Sequence, residues 1–169
     1  KFTRHSSKFG SLKGAVGFIK DTLLETDAPI SGILFGDPGL GKSSILKALA
    51  WYLGRDRNMM VILVNGPAIA DASKTATLMT LVNQENDRGK RVVILVDELD
   101  DHLAITNDVG GKSGKAAALM SLENDVSVIG TCNLSKEQIH PAFVREGRGN
   151  FQIHLNPLAS TQIPIINAY

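Results

Sequence analysis

Short unbroken apolar runs alternate along this chain with segments whose apolar positions recur every three or four residues. That alternation predicts strands interleaved with helices. Residues 12–24 carry Leu12, Val16, Ile19 and Leu23 at helical spacing, closed by Asp27-Ala28-Pro29. Ile33-Leu34-Phe35 is a short strand that stops at a glycine-rich loop. Residues 43–53 read as a helix ended by Gly54, residues 60–64 as a strand closed by Asn65-Gly66-Pro67, and residues 75–83 as a helix. Val92-Val93-Ile94-Leu95-Val96 has no polar alternation, the mark of a strand buried on both faces. Residues 107–114 read as a polar loop, 115–123 as a helix, 126–131 as a strand, 136–144 as a short helix and 151–155 as an alternating strand. Five strands separated by helical segments predict an α/β fold, a three-layer sandwich with helices on both faces of a five-stranded parallel sheet. Residues 1–11 read as an irregular N-terminal arm and residues 12–157 as one α/β domain.

Composition narrows the function classes. A chain of 169 residues that is 43% hydrophobic can bury a sizeable core. Lys plus Arg is 18 against 17 Asp plus Glu, a net charge of +1, which argues against disorder and against a broadly basic nucleic-acid module. The single cysteine, Cys132, excludes an internal disulfide and any zinc site built on several cysteines. It sits in an apolar strand, where a thiol is buried and inert. His5, His102, His140 and His154 show no metal-ligand spacing. No apolar run approaches the roughly 18 residues of a membrane span, and no signal-peptide pattern opens the chain. An intracellular, cytoplasmic setting with no membrane segment in this chain is the expectation. The chain opens on Lys1 rather than Met, so a processed or excised piece is the expectation. Trp51 and Tyr52, at the end of their helix, are expected to pack into the core or against another domain.

The loop after the first of these strands carries the clearest chemistry. Gly36-Asp37-Pro38-Gly39-Leu40-Gly41-Lys42-Ser43, followed by Ser44, satisfies G-x-x-x-x-G-K-[ST], with a strand leading in and a helix leading out. Glycines let the backbone turn tightly and aim successive N–H groups at phosphate oxygens, and the helix adds the positive end of its dipole. Lys42 is the residue to neutralise the β- and γ-phosphates, and Ser43 to ligate Mg²⁺. Gly111-Lys112-Ser113 repeats G-K-S but has Thr106 where the first glycine is needed and lacks a preceding strand, so it reads as loop.

The apolar strand 92–96 ends in Asp97-Glu98. Asp97 is suited to complete the Mg²⁺ shell, and Glu98 to act as the general base on an attacking water. That glutamate marks a hydrolase rather than a small-molecule kinase. Asp100 and Asp101 continue the acidic run as structural or loop charges.

Together these residues resemble the AAA+ ATPases, and within them the AAA branch proper. Ser31-Gly32-Ile33-Leu34-Phe35 resembles that branch's approach to its phosphate loop. Val128-Ile129-Gly130-Thr131-Cys132-Asn133 resembles the fourth strand ending in the sensor-1 asparagine. His140-Pro141-Ala142-Phe143-Val144-Arg145-Glu146-Gly147-Arg148 resembles the second homology region, D-P-A-hydrophobic-hydrophobic-R-P-G-R. Phe9-Gly10-Ser11-Leu12 resembles the stretch whose backbone lies against the adenine. The resemblance runs from about residue 9 to residue 157. It implies the large subdomain of a P-loop NTPase that takes ATP or ADP with Mg²⁺. It implies that Asn133 holds the attacking water or the γ-phosphate, and that Arg145 and Arg148 are arginine fingers acting on a neighbouring subunit's nucleotide. Such fingers imply a homo-oligomer, usually a hexameric ring, that remodels or translocates a protein substrate in the manner of a chaperone.

The sequence also departs from the family pattern. Between the second strand and the next helix the family carries an aromatic-hydrophobic-Gly pore loop. Here the segment is Pro67-Ala68-Ile69-Ala70-Asp71-Ala72-Ser73-Lys74, short and without an aromatic. That feature also resembles the Bcs-type AAA proteins, which move a folded substrate; a Rubisco-activase-like or bacteriophage-encoded remodeller fits equally. His140 stands for the usual acid, Glu146 for the usual proline, and Asp37 for a proline in the phosphate loop. Residues 158–169 are expected to begin a helical lid or linker that is otherwise missing. Two alternatives remain open: an AAA+ motor or loader on nucleic acid, for which no basic element is evident, and a nucleotide switch that does not hydrolyse.

Overall fold

A computed structural model describes residues 2–5, 12–105, 114–144 and 151–155. In chain order the elements are β1 (Phe2–His5), α1 (Leu12–Glu25), β2 (Ser31–Phe35), α2 (Lys42–Leu53), β3 (Met59–Asn65), a 3-10 turn (Gly66–Ile69), α3 (Ala72–Asp87), β4 (Arg91–Asp97), α4 (Asp100–Leu103), α5 (Gly114–Asp125), β5 (Ser127–Cys132), a second 3-10 turn (Lys136–Gln138), α6 (Pro141–Val144) and β6 (Phe151–His154). The strands form one sheet in the order β1-β6-β2-β5-β4-β3, every neighbouring pair parallel. The chain leaves β2 toward β3 on one side and returns to β6 on the other. The loop after β2 therefore sits where the winding reverses, the place where sheets of this kind bind ligands.

Why the strands lack polar alternation is visible in the packing. Leu34, Val93, Leu95 and Ile129 turn to one face, against Ile19 and Leu23 of α1 and Leu46 and Leu49 of α2. Ile33, Phe35, Ile94, Val96 and Val128 turn to the other, against Val82 of α3 and Leu119 and Leu122 of α5. Successive side chains of a strand point to opposite faces, so a strand roofed on both sides is apolar on both faces, save where a buried hydroxyl finds a hydrogen-bond partner. Each such side chain taken fully out of water contributes about 1.5–3 kcal/mol before entropy is counted.

Several expectations are corrected. Residues 2–5 are a parallel edge strand, in register Phe2↔Phe151 to His5↔His154, rather than part of an irregular arm; the sheet among the described residues has six strands, not five. An edge strand pairs through its backbone on one side, so four residues of mostly polar sequence suffice without a hydrophobic signature. Within 136–144 the expected short helix is confined to Pro141–Val144, after a 3-10 turn at Lys136–Gln138. Pro141 disfavours helical geometry at His140, and Ile139 instead bridges to Ala104. Trp51 and Tyr52 are exposed, which excludes the core half of the expectation that they pack into the core or against another domain. They stack edge to face, and the Arg55 guanidinium lies 4.1 Å over the Trp51 ring. The rest of the arm, residues 6–11, and the proposed lid start at 158–169 lie outside the described residues.

Candidate nucleotide-binding site

Four stretches of chain meet at the C-terminal edge of the sheet. The first is the loop 36–43. Its entry is tied on both sides: Gly36 N donates to Cys132 O at 3.3 Å, and Leu155 N donates to Phe35 O at 2.7 Å. Gly39 and Gly41 stand at φ 85° and 90°, the left-handed region that disfavours side chains. Gly41 caps α2 with no side-chain hydrogen bond, so the first N–H groups of that twelve-residue helix are left for another acceptor. Lys42 is 5% exposed. Its Nζ folds back across the loop and donates to Gly36 O at 2.5 Å and Asp37 O at 2.7 Å. Burial pushes its ammonium below the ordinary lysine value, against the pull of Asp100, Asp37 and Asp97.

The second stretch follows β4. Register pairs Val96 with Gly130 and Asn65 with Asp97, which aligns the ends of β3, β4 and β5. Asp97 Oδ1 accepts from the Thr131 hydroxyl at 2.6 Å. Glu98 is exposed and has φ 64°, the one non-glycine residue in the left-handed region among the described residues. That conformation costs about 1–2 kcal/mol. Three contacts hold it: Glu98 N donates to Thr131 Oγ1 at 2.9 Å, Leu99 N donates to Thr131 O at 2.8 Å, and the Glu98 carbonyl lies against Gly66. A Cβ at Gly66 would come within 2.3 Å of that oxygen. Any side chain there must push the glutamate away.

The third stretch is the end of β5. Asn133 N donates to Asp100 Oδ1 at 2.9 Å, and Asn133 Nδ2 to Asp100 Oδ2 at 3.4 Å. Asp100 is thus a structural acid, as expected, and what it holds is Asn133. Asp101, by contrast, is exposed and pairs with Lys115 at 2.7 Å, which holds its carboxyl below the ordinary range. Cys132 is fully buried and its thiol is pushed up to about 12, so it is inert, as the apolar strand suggested.

Ser43 and Asp97 front a common open cavity of about 340 Å³, shared with Lys47, Leu63, Asn65 and Ala68. A hydroxyl and a carboxylate on one cavity fit Mg²⁺, which takes one or two protein oxygens and leaves its other positions to water and phosphate. No cluster of three or more His, Cys, Asp or Glu forms a metal cage among the described residues.

The fourth stretch is the turn Gly66–Ile69. Asp71 caps α3 by accepting from Lys74 N at 2.9 Å, and Lys74 Nζ donates to Pro67 O at 3.0 Å. The segment is therefore a compact turn closed by a cap. Beneath it His102 is 1% exposed, with Nε2 3.2 Å from Ile69 O and Nδ1 without a partner. Burial pushes the His102 imidazole below the ordinary histidine value, outweighing the Ile69 hydrogen bond. It is neutral when folded, whereas an unfolded chain titrates near 6.5. Below that pH the unfolded state binds the extra proton, so stability is lost as pH falls. The stability advantage of the wild type over His102→Gln is expected to shrink between about pH 7 and pH 5, by at most about 1.4 kcal/mol per pH unit. Thermal melts of both proteins check this, and a gap independent of pH contradicts it.

The structure thus brings together Lys42, Ser43, Asp97, Glu98 and Asn133 around the loop. Arg145 and Arg148 lie outside the described residues, as do Glu146, Phe9 and residues 106–113 with their second G-K-S. His140 Nδ1 accepts from Ala142 N at 3.1 Å, so the imidazole that replaces the acid caps the start of α6. Sequence reasoning missed Thr131, Gly66 and His102. Thr131 had a signal: a hydroxyl near the end of a strand buried on both faces demands a partner.

The model of the ATPase family associated with various cellular activities (AAA) matches residues 32–157. An AAA-ATPase of Arabidopsis thaliana is 31% identical over 128 residues, 73% of this chain and 24% of that protein. Protein SAV of Sulfolobus acidocaldarius is 30% identical over 144 residues, 79% of this chain and 18% of that protein. A protein of Bifidobacterium animalis subsp. lactis named as an AAA ATPase forming ring-shaped complexes is 29% identical over 147 residues, 76% of this chain and 28% of that protein. The chain spans less than a third of the length of these curated relatives. No described helix is long and apolar enough to cross a membrane.

Proposed function

Because the chain belongs to the AAA family of ATPases, we propose that this site binds ATP with Mg²⁺ and hydrolyses it within a ring-shaped homo-oligomer that remodels or translocates a protein substrate. The observation that carries the reading is the hydrogen-bonded set Asp97–Thr131–Glu98 and Asp100–Asn133, at the same sheet edge as the Lys42 loop. Loop N–H groups and the α2 N-terminus cradle the phosphates, with Gly36, Asp37, Pro38, Gly39, Leu40, Gly41 and Ser44 supplying the surround. Lys42 turns from the Gly36 and Asp37 carbonyls to the β- and γ-phosphate oxygens. Ser43 and Asp97 hold Mg²⁺, which supplies charge neutralisation when bound. Asn133, fixed by Asp100, orients the attacking water, and the Glu98 carboxylate takes its proton. An intact base beside the loop favours a hydrolase over a passive switch.

The ring is supported by the name of the Bifidobacterium relative and by the motif that contains Arg145 and Arg148. An arginine finger supplied across subunits is worth on the order of 10³–10⁵ in rate. Phosphate release by the longest available form of the protein, measured across a concentration series, tests this. Specific activity is expected to rise with concentration and to fall by roughly 10³-fold in Arg145→Ala or Arg148→Ala. Activity flat with concentration and indifferent to both substitutions contradicts the trans arrangement.

A further inference from the structure

We propose that Thr131 is the positioning residue that aims both acids of the site, a role that rests on the ATPase reading above. The problem it solves is geometric. Successive residues of a strand point to opposite faces, so Asp97 and Glu98 in regular extension would diverge. The left-handed backbone at Glu98 breaks that alternation immediately after Asp97, the last residue of β4. One hydroxyl on the neighbouring strand then serves both acids. Thr131 Oγ1 donates to Asp97 Oδ1 at 2.6 Å and accepts from Glu98 N at 2.9 Å.

The two bonds are mutually dependent. The Thr131 hydroxyl has one hydrogen, and giving it to Asp97 leaves a lone pair for the Glu98 amide. With Oδ1 held, the other Asp97 oxygen is left for the cavity shared with Ser43. Thr131 is 2% exposed, so water does not replace its hydroxyl when it is removed. Thr131 touches no phosphate and no reacting atom; it acts through Asp97 and Glu98.

Thr131→Val removes the hydroxyl while keeping the branched shape, and Thr131→Ser keeps the hydroxyl. Two readouts are compared with wild type: single-turnover phosphate release at saturating ATP, and Mg²⁺ titration of the binding of a fluorescent ATP analogue. Thr131→Val is expected to slow phosphate release roughly 10–100-fold and to raise the Mg²⁺ concentration for half-maximal binding about tenfold. Its affinity for the analogue in EDTA is expected to match wild type. Thr131→Ser is expected to restore both quantities to within about threefold. A Thr131→Val protein equal to wild type in both readouts overturns the proposal, as does a folded Thr131→Ser protein as impaired as the valine variant. Should Thr131→Val fail to fold, Thr131→Ala lacks the same hydroxyl and is held to the same expectation. A wild type that neither binds nor cleaves ATP overturns the ATPase reading, and the role of Thr131 falls with it.

Discussion

Glu98→Gln is expected to yield a protein that binds Mg²⁺–ATP as tightly as wild type and releases phosphate at least about 10²-fold more slowly. Glutamine keeps the size of the side chain and removes its ability to take a proton. The side chain is exposed and the restraints on this residue act on its backbone, through Thr131 and Gly66. The fold and its melting temperature should therefore not change. Equilibrium binding and phosphate release on the same preparation check both halves. Wild-type turnover by Glu98→Gln contradicts the assignment of the base, and lost binding would mean that Glu98 helps hold the nucleotide instead.

Lys42→Ala is expected to act on the other half of the cycle. Its ammonium is nearly enclosed and already lies across the loop, bonded to Gly36 O and Asp37 O. A charge-assisted hydrogen bond to phosphate contributes about 1.5–3 kcal/mol, so ATP affinity should fall about 10–100-fold. Turnover at saturating ATP should fall as well, because charge on the γ-phosphate goes unmatched in the transition state. Lys42→Arg is not expected to rescue either quantity, since a planar fork does not fit a space shaped to one ammonium. Nucleotide titration and steady-state turnover check this. Unchanged affinity in Lys42→Ala would remove the loop from the binding site.

What was legible in the sequence was whatever a short stretch of chain determines by itself. The phosphate loop fixes its own geometry through Gly39 and Gly41 and announces itself as a motif. The apolar runs ending at Asp97 and Asn133 announce buried strands, and parallel register then brings their ends together. What was not legible depends on partners far apart in the chain. Thr131 meets Asp97 and Glu98 across 34 and 33 residues, and Asn133 meets Asp100 across 33. Gly66 reads locally as a turn glycine, yet what it makes room for is a carbonyl on another strand's end. The β1 edge strand escaped because one-sided backbone pairing leaves no hydrophobic pattern. Trp51, expected in the core or against another domain, is not in this core because α2 buries Leu46, Leu49 and Leu53 and turns Trp51 outward.

The most direct measurement is a single turnover: excess protein, ATP labelled on its γ-phosphate, and quenching over time with either Mg²⁺ or EDTA present. The expected result is labelled phosphate from the wild type with Mg²⁺, and none with EDTA or from Glu98→Gln. Bound ATP that stays intact on the wild type with Mg²⁺ present, or release from Glu98→Gln at the wild-type rate, would contradict hydrolysis at this site.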